Sequence, residues 1–218
     1  LKINRHSYDV IVVGSGPAGL GAAKELAEQG ANVLVVYSGF DLEDRVRDYQ
    51  EKKRKGKTNE FEVSDGAGGA GPFSDGKFHF SPVLSMEYTE CLLPDELKPF
   101  FELYLNRVES FLMNQGKMQA HYTPDNIHIL RPVADHFMRN GLEVTVRRTR
   151  HQGTNQLPTL EGNLFEYLRQ KGVTFQAGAT MADLIMDEDR CQGIELKQGE
   201  HINAENTIVA VGRKGATT

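Results

Sequence analysis

One stretch of the chain decides its fold: Tyr8-Asp-Val-Ile-Val-Val-Gly-Ser-Gly-Pro-Ala-Gly-Leu20. Val10–Val13 is an unbroken run of β-branched residues, which predicts a buried strand. Three glycines follow at the spacing G-x-G-x-x-G, at positions 14, 16 and 19. Leu20–Gln29 is rich in helix formers and ends at Gly30, and the apolar run Val33–Val36 comes directly after it. The stretch therefore predicts a strand, a tight turn, a helix and a second strand.

This order of elements is the context in which the glycine spacing binds dinucleotides. Gly14 allows the sharp turn, Gly16 lets the backbone approach a pyrophosphate, and Gly19 lets the helix pack closely on the strand. The helix N-terminus supplies free N–H groups and the positive end of its dipole to the phosphates. The alternative is a strand–helix turn with a purely structural role, and the flanking elements favour the dinucleotide.

The composition argues against several classes of partner. The 218 residues carry a net charge of −5, and the pI of 5.8 does not favour nucleic acid. No apolar stretch has the length of a membrane span and no signal peptide pattern opens the chain, so no membrane partner is predicted. Cys91 and Cys191 are isolated, which predicts no metal site and a cytoplasmic location. The oligomeric state has no sequence signal.

The rest of the chain predicts a Rossmann-like α/β domain with an insertion. Its predicted helices are Phe40–Lys57 (amphipathic and solvated), Pro94–Gln115, Asp125–Asn140 and Leu157–Gln170. Its predicted strands are Glu143–Arg148, Val173–Ala177, Met181–Met186, Gln192–Leu196, His201–Ala204 and Thr207–Val211. The last four form a three-stranded meander and a returning strand. We therefore expect one nucleotide-binding domain built from residues 1–40 and 156–218, with an α-rich insertion at 41–155.

A second glycine-rich segment lies inside that insertion. Ser64–Gly76 contains five glycines, a density that disfavours helix and predicts a loop whose backbone lies against another part of the molecule. A flexible linker is the alternative, but Phe73, Asp75 and Lys77 are not linker residues. The segment is therefore a candidate for a ligand contact.

Three motifs together resemble the FAD-dependent dehydrogenases of the glutathione-reductase-like flavoprotein superfamily. Gly14-Ser-Gly-Pro-Ala-Gly19 is shared by the whole superfamily. Gly66-Ala-Gly-Gly-Ala-Gly-Pro-Phe-Ser-Asp-Gly-Lys77 is similar to the loop G-E-G-G-A-G-x-F-S-D-G-K of one branch of NAD(P)/FAD-dependent oxidoreductases. Arg150-His-Gln-Gly-Thr-Asn-Gln-Leu157 is similar to that branch's R-H-I-G-T-D-x-L. The final run Ile208–Arg213 also resembles the family's returning strand.

The resemblance implies a bound FAD, with NAD(P)H as a candidate electron donor and a small molecule as substrate. It places the first glycine loop on the pyrophosphate, the second along the ribityl chain and flavin, the backbone near Met181 at the adenine, and Gly212 close to the cofactor. The residues assigned to the cofactor are Gly14, Ser15, Gly16, Pro17, Ala18, Gly19, Tyr37, Ser38, Gly68, Gly69, Ala70, Gly71, Ser74, Asp75, Gly76, Lys77, Met181 and Gly212.

The chain departs from the family at four points. Tyr37 stands where the family has an acid for the adenosine ribose, and Ser38 or backbone groups are expected to substitute in part. Ala67 replaces a Glu, and Asn155 replaces an Asp that it can match as a helix cap. No acidic-glycine motif for the flavin follows Gly212. Because the chain also starts at a Leu, we expect an excised piece of a longer protein, without its C-terminal part and inactive in isolation.

No catalytic residue is assigned from the sequence. Lys77 is expected to pair with Asp75 rather than to act on the flavin, and His79 and His151 are expected to be loop or packing residues. The basic residues 147, 148 and 150 are expected to form a solvated strand end, with an anionic substrate as the alternative. Two other functions remain open: a nucleotide-binding module without redox activity, and an NAD(P)-dependent enzyme. The second is disfavoured because the Pro17-Ala18 pair and the second glycine loop resemble those of FAD enzymes, and no arginine lies at 37–40 to meet a 2′-phosphate.

Overall fold

A computed structural model describes residues 8–80, 95–118, 121–122, 127–144 and 148–215. The chain divides into two compact units. Unit 1 takes the residues up to Phe73 and those from Glu161 onward, and unit 2 takes Ser74–Leu160. The segment 41–73, which the sequence analysis assigned to the insertion, thus belongs to the unit that holds the first strand.

The helices and strands have the following bounds in chain order. The helices are α1 (Pro17–Glu28), α2 (Leu42–Arg54), α3 (Lys98–Asn114), α4 (Arg131–Arg139), α5 (Leu157–Gln170) and the single turn α6 (Gly212–Gly215). The strands are β1 (Tyr8–Val13), β2 (Val33–Val36), β3 (Lys77–His79), β4 (His121–Tyr122), β5 (Thr149–His151), β6 (Thr174–Gln176), β7 (Met181–Asp187), β8 (Arg190–Leu196) and β9 (His201–Val209).

Unit 1 is built on a six-stranded sheet in the order β6-β2-β1-β9-β8-β7. The strands β6, β2, β1 and β9 are parallel, and β8 runs antiparallel to both β7 and β9. Side chains alternate along β1, so Val10 and Val12 pack with Leu20 of α1 on one face. Ile11 and Val13 pack on the other face, with Ile194 of β8 among others. Burial on both faces explains why Val10–Val13 of β1 and all of β2 are apolar.

The predicted Rossmann-like α/β class is confirmed, but the last two predicted strands are not separate elements. His201–Ala204 and Thr207–Val211 were expected as two strands, but they form the single strand β9. Its first residues pair with β8, for example Ile202 with Ile194, and its later residues pair with β1, for example Ile208 with Val12. Glu205-Asn206 supplies no glycine or proline turn, so the strand continues from the antiparallel half of the sheet into the parallel half.

Unit 2 contains a three-stranded sheet in the order β3-β5-β4, together with helices α3 and α4. The strand predicted at Glu143–Arg148 is misplaced: residues 143, 144 and 148 are not in a strand, and residues 145–147 lie outside the described ranges. The strand is β5 instead, paired with β3 and β4. Pro99 lies in the first turn of α3, where its missing N–H costs no helical hydrogen bond.

The basic residues near β5 are not a free cationic patch. Arg150 is 7% exposed and donates from Nε to Oε1 of the buried Glu109. Arg148 forms an ion pair with the same carboxylate and also donates to Asn106. The expectation of a solvated strand end is therefore wrong for Arg150, whereas Arg148 pairs with the same glutamate and keeps a side chain that is 41% exposed. Arg147 lies outside the described residues.

Candidate dinucleotide-binding site

The first glycine turn is enclosed by backbone on two sides. Gly14 has φ +108°, and its N–H donates to the carbonyl of Val36 at 2.8 Å. A Cβ on Gly14 would lie 2.9 Å from the carbonyl carbon of Ala210, just after β9. A Cβ on Gly19 would overlap the carbonyl oxygen of Gly14. Any side chain at either position would therefore separate the turn from α1 or from the end of β9.

Gly16 is different, because no atom of the described residues lies within 4 Å of the position that its Cβ would take. It is the N-cap of α1, with Pro17 in the first turn, and no side chain caps the helix. The first helical hydrogen bond runs from Leu20 N–H to the Gly16 carbonyl at 2.9 Å, so the amides of Ala18 and Gly19 precede it. These amides and the open backbone at Gly16 form a cradle suited to a phosphate.

The second glycine loop lies against this first turn. Gly66, Gly68 and Gly69 all have positive φ. A Cβ on Gly69 would lie 3.3 Å from Cα of Gly16. The buried hydroxyl of Ser15 donates to the Gly66 carbonyl at 3.5 Å. The prediction that the loop's backbone lies against another part of the molecule is confirmed for residues 66–71.

Arg45 of α2 holds the second loop, and the sequence analysis missed it. Its side chain is 2% exposed and donates to the carbonyls of Val63 at 2.6 Å, Gly69 at 2.8 Å, and Ala67. The centre of the guanidinium lies 4.9 Å from the ring centroid of Phe73. Burial lowers the pKa of Arg45 to about 10, partly opposed by the charges of nearby carboxylates, so the side chain remains charged at neutral pH.

Glu161 of α5 is the second buried charge beside this loop. It is 7% exposed, and its Oε2 has no hydrogen-bond partner among the described residues. That atom lies 3.4 Å from where a Cβ on Gly68 would stand, and Cδ lies at the same distance from a Cβ on Gly71. Burial raises the pKa of Glu161 from 4.5 to about 7, while the positive charge of Arg45 lowers it. The carboxyl therefore exchanges a proton near neutral pH.

Tyr37 and Ser38 are the residues at the end of β2 that were assigned to the cofactor, and their hydroxyls bond to different carboxylates. Tyr37 is 4% exposed, and its hydroxyl donates to Oδ1 of Asp41 at 2.5 Å; burial raises the pKa of the Tyr37 phenol. The hydroxyl of Ser38 donates to Oδ1 of Asp65 at 2.6 Å. The side chain of Tyr37 thus lies in the core rather than at a ligand surface.

Gly212 and Met181 are the two remaining residues assigned to the cofactor. Each comes shortly after a residue that lies near the first glycine turn or bonds to the end of β2. Gly212 has φ +68° and comes directly after Ala210 and Val211, both of which lie near Gly14. Met181 begins β7, two residues after Ala179, whose N–H donates to the Tyr37 carbonyl at 3.0 Å. Their assignment to the cofactor stays a prediction.

The predicted cofactor residues of the second glycine loop fall in both units. Gly68–Gly71 belong to unit 1, and Ser74–Lys77 belong to unit 2. In unit 2, Nζ of Lys77 lies 3.1 Å from Oδ2 of Asp75, which confirms the expected pairing. His79 lies 3.0 Å from the Thr149 hydroxyl, and His151 lies 3.2 Å from the Asp75 carbonyl. Both histidines are exposed.

Two features are absent from the described ranges of the chain. Within those ranges, no helix combines the length and the apolar character needed to cross a membrane. The same ranges contain no group of three or more His, Cys, Asp or Glu residues arranged to hold a metal ion.

Replacing Gly19 with Ala should destabilise unit 1, because its Cβ overlaps the Gly14 carbonyl. We expect a loss of about 1–3 kcal/mol in the free energy of unfolding, measured by urea denaturation. Gly21→Ala in the same helix is the matched control, since nothing lies within 4 Å of that Cβ, and it should stabilise by up to about 1 kcal/mol. Equal changes in the free energy of unfolding for Gly19→Ala and Gly21→Ala would contradict the close approach of Gly19 to the Gly14 carbonyl.

Replacing Arg45 with Met should remove the hydrogen bonds to the loop carbonyls. We expect the free energy of unfolding to fall by about 3 kcal/mol or more, since buried acceptors lose a charged donor. Arg47→Met on the same helix is the control, with a side chain that is 74% exposed and an expected loss below about 1 kcal/mol. Chemical denaturation of both variants tests this, and a small loss for Arg45→Met would disprove its role.

Glu161 should make the stability fall between about pH 4.5 and pH 7. Its pKa is higher in the folded protein than in the unfolded chain, so the folded state binds more protons across that range. The contribution present below pH 4.5 is lost above pH 7 and amounts to about 3 kcal/mol. Glu161→Gln should therefore stabilise the protein more at pH 8 than at pH 5. A difference between variant and wild type that does not change with pH would refute this.

Comparison with known proteins agrees with the geometry. A family model described as an FAD binding domain matches residues 9–43, which span β1, α1, β2 and the start of α2. The chain is 44% identical over 68 residues to an uncharacterized protein of Clostridium beijerinckii, covering 31% of this chain and 13% of that protein. It is 51% identical over 43 residues to a digeranylgeranylglycerophospholipid reductase of Methanocella arvoryzae, covering 20% of this chain and 11% of that protein.

A solved structure extends the likeness to nearly the whole chain. The L-amino acid deaminase from Proteus vulgaris superposes with a TM-score of 0.51 and 16% identity, over 94% of this chain and 47% of that one. The chain thus matches 13% or less of the two curated relatives and about half of the solved structure. Residues 9–43 are thus similar to an FAD binding domain, and the fold of the chain is similar to that of the L-amino acid deaminase.

Proposed function

We propose that the chain is the FAD-binding part of an FAD-dependent oxidoreductase that acts on a small-molecule substrate in the cytoplasm. The observation that carries this proposal is the open backbone at Gly16, in a turn where Gly14 and Gly19 are closely packed against backbone. The match of residues 9–43 to an FAD binding domain supports it, because these residues contain the whole cradle. A bound FAD would supply the hydride or electron transfer, with NAD(P)H as its proposed donor.

The proposed binding mode follows from the groups around the cradle. The pyrophosphate would lie at Gly16, where the amides of Ala18 and Gly19 and the dipole of α1 favour an anion. The second glycine loop would border the cofactor beyond the pyrophosphate. Arg45 donates hydrogen bonds to carbonyl oxygens of that loop. Its positive charge offsets their negative partial charge, so they would repel an anionic ligand less.

The direct test is to purify the chain after expression with FAD and to measure flavin absorbance. Isothermal titration of the apoprotein with FAD and with ADP then gives both affinities. We expect a yellow protein that binds FAD. A colourless protein without affinity for FAD would refute the proposal. Equal affinity for FAD and ADP would favour a nucleotide-binding module, and a preference for NAD(P) would favour a nicotinamide enzyme.

Replacing Gly16 with Ala should separate ligand binding from folding. Within the part of the chain that the structure describes, the added methyl group meets no atom, so the free energy of unfolding should change by less than about 1 kcal/mol. The same methyl group stands in the phosphate cradle and should weaken FAD binding by about 10- to 100-fold.

Gly21→Ala serves again as the control for this variant and should bind FAD as the wild type does. Titration calorimetry and urea denaturation on the same preparations provide the two measurements. A Gly16→Ala variant with wild-type affinity would place the phosphate elsewhere.

A further inference from the structure

The end of β2 lacks an acid at the position where dinucleotide-binding folds usually have one. In such folds, an Asp or Glu about 20 residues after the glycine turn binds a ribose hydroxyl. Tyr37 occupies that place here, with its ring edge against Phe165 at a centroid distance of 6.4 Å and its hydroxyl on Asp41. Its N–H donates to the Gln176 carbonyl and its carbonyl accepts from Ala179. Tyr37 is therefore engaged with the protein itself.

A carboxylate from a different segment reaches the same end of the strand. Oδ1 of Asp65 accepts a hydrogen bond from the hydroxyl of Ser38, with 2.6 Å between the two oxygens. A Cβ on Gly39 would lie 3.0 Å from Oδ2 of Asp65 and 2.9 Å from the backbone nitrogen of Gly66. Asp65 thus lies beside the two residues that follow Tyr37, and its side chain is exposed.

The backbone that follows Asp65 is held by the glycine turn and by the chain just beyond β2. Gly66, the residue after Asp65, accepts the hydrogen bond from Ser15 of that turn. The N–H of Ala67 donates to the carbonyl of Phe40 at 3.0 Å, which ties the loop to the chain just beyond β2. Asp65 is therefore placed relative to the phosphate cradle by contacts that do not involve its own carboxylate.

We propose that Asp65, oriented by Ser38, accepts hydrogen bonds from the ribose hydroxyls of the adenosine half of the dinucleotide. The inference rests on the proposed function, since it assumes a dinucleotide at the Gly16 cradle. A carboxylate has two oxygens and about four acceptor positions, so Oδ2 can accept from the ribose while Oδ1 keeps its bond to Ser38. The same negative charge repels a 2′-phosphate, which favours an unphosphorylated ribose.

The test compares ADP with 2′,3′-dideoxy-ADP on the whole chain by titration calorimetry. Asp65→Asn should weaken ADP binding by about 10- to 100-fold, the value of a hydrogen bond to a charged group. It should leave the affinity for the dideoxy analogue unchanged, because that ligand has no hydroxyl to lose. Ser38→Ala should weaken ADP binding less, since it removes only the orientation of the carboxylate.

Asp41→Asn is the matched control, because it makes the same change of charge at the other carboxylate near the end of β2. It should bind both ligands as the wild type does. Three results would overturn the inference: an unchanged ADP affinity in Asp65→Asn, an equal loss for both ligands, or a hydroxyl-dependent loss in Asp41→Asn instead. In each of them the wild type still binds ADP and FAD, so the proposed function stands. A wild type that binds neither ligand overturns both.

Discussion

The approach of backbone to backbone at the first glycine turn is the constraint on which the site depends. Four segments meet there, and glycines let their backbones approach closely: the turn itself, the first residues of α1, the residues just after β9 and the second glycine loop. Close contact of this kind gains dispersion energy only if no Cβ intervenes. Gly14 and Gly19 are packed against backbone, whereas Gly16 is open. The backbone at Gly16 and the amides that follow it are therefore the part of the turn that stays accessible to an anion.

The second loop adds an electrostatic element to this steric one. Glycine-rich backbone has few side chains with which to stabilise itself, and its carbonyls need donors when they are buried. Arg45 supplies several donors from one planar group and also stacks near Phe73. Glu161 on the adjacent helix partly balances that charge without a direct hydrogen bond among the described residues. The loop therefore has a defined shape although five of its thirteen residues, Ser64–Gly76, are glycine.

The sequence predicted the parts of the fold that depend on local signals. The bounds of β2 and of α5 were confirmed as predicted, since apolar runs and the flanking residues Gly30 and Gly172 specify them within a few residues. The Lys77–Asp75 pair was likewise a local prediction. These features need no knowledge of the rest of the chain.

Features that depend on distant residues were missed or misjudged. Arg45 lies in a strongly charged helix, and only the fold shows that its acceptors come from residues 63–69. Tyr37 was recognised as a departure, but the arrival of Asp65 beside Ser38 joins segments 27 residues apart. The continuity of β9 was missed because its two halves face different partners, and a polar Glu205-Asn206 pair resembled a break.

The long strand β9 has a consequence for biosynthesis. Tyr8 at the start of β1 pairs with Ala204, so the central strand emerges from the ribosome long before its second neighbour exists. At about 5–20 residues per second, roughly 10–40 s separate the two events. During that interval one edge of β1 presents unpaired backbone N–H and C=O groups, which exposes the nascent chain to pairing with the wrong strand.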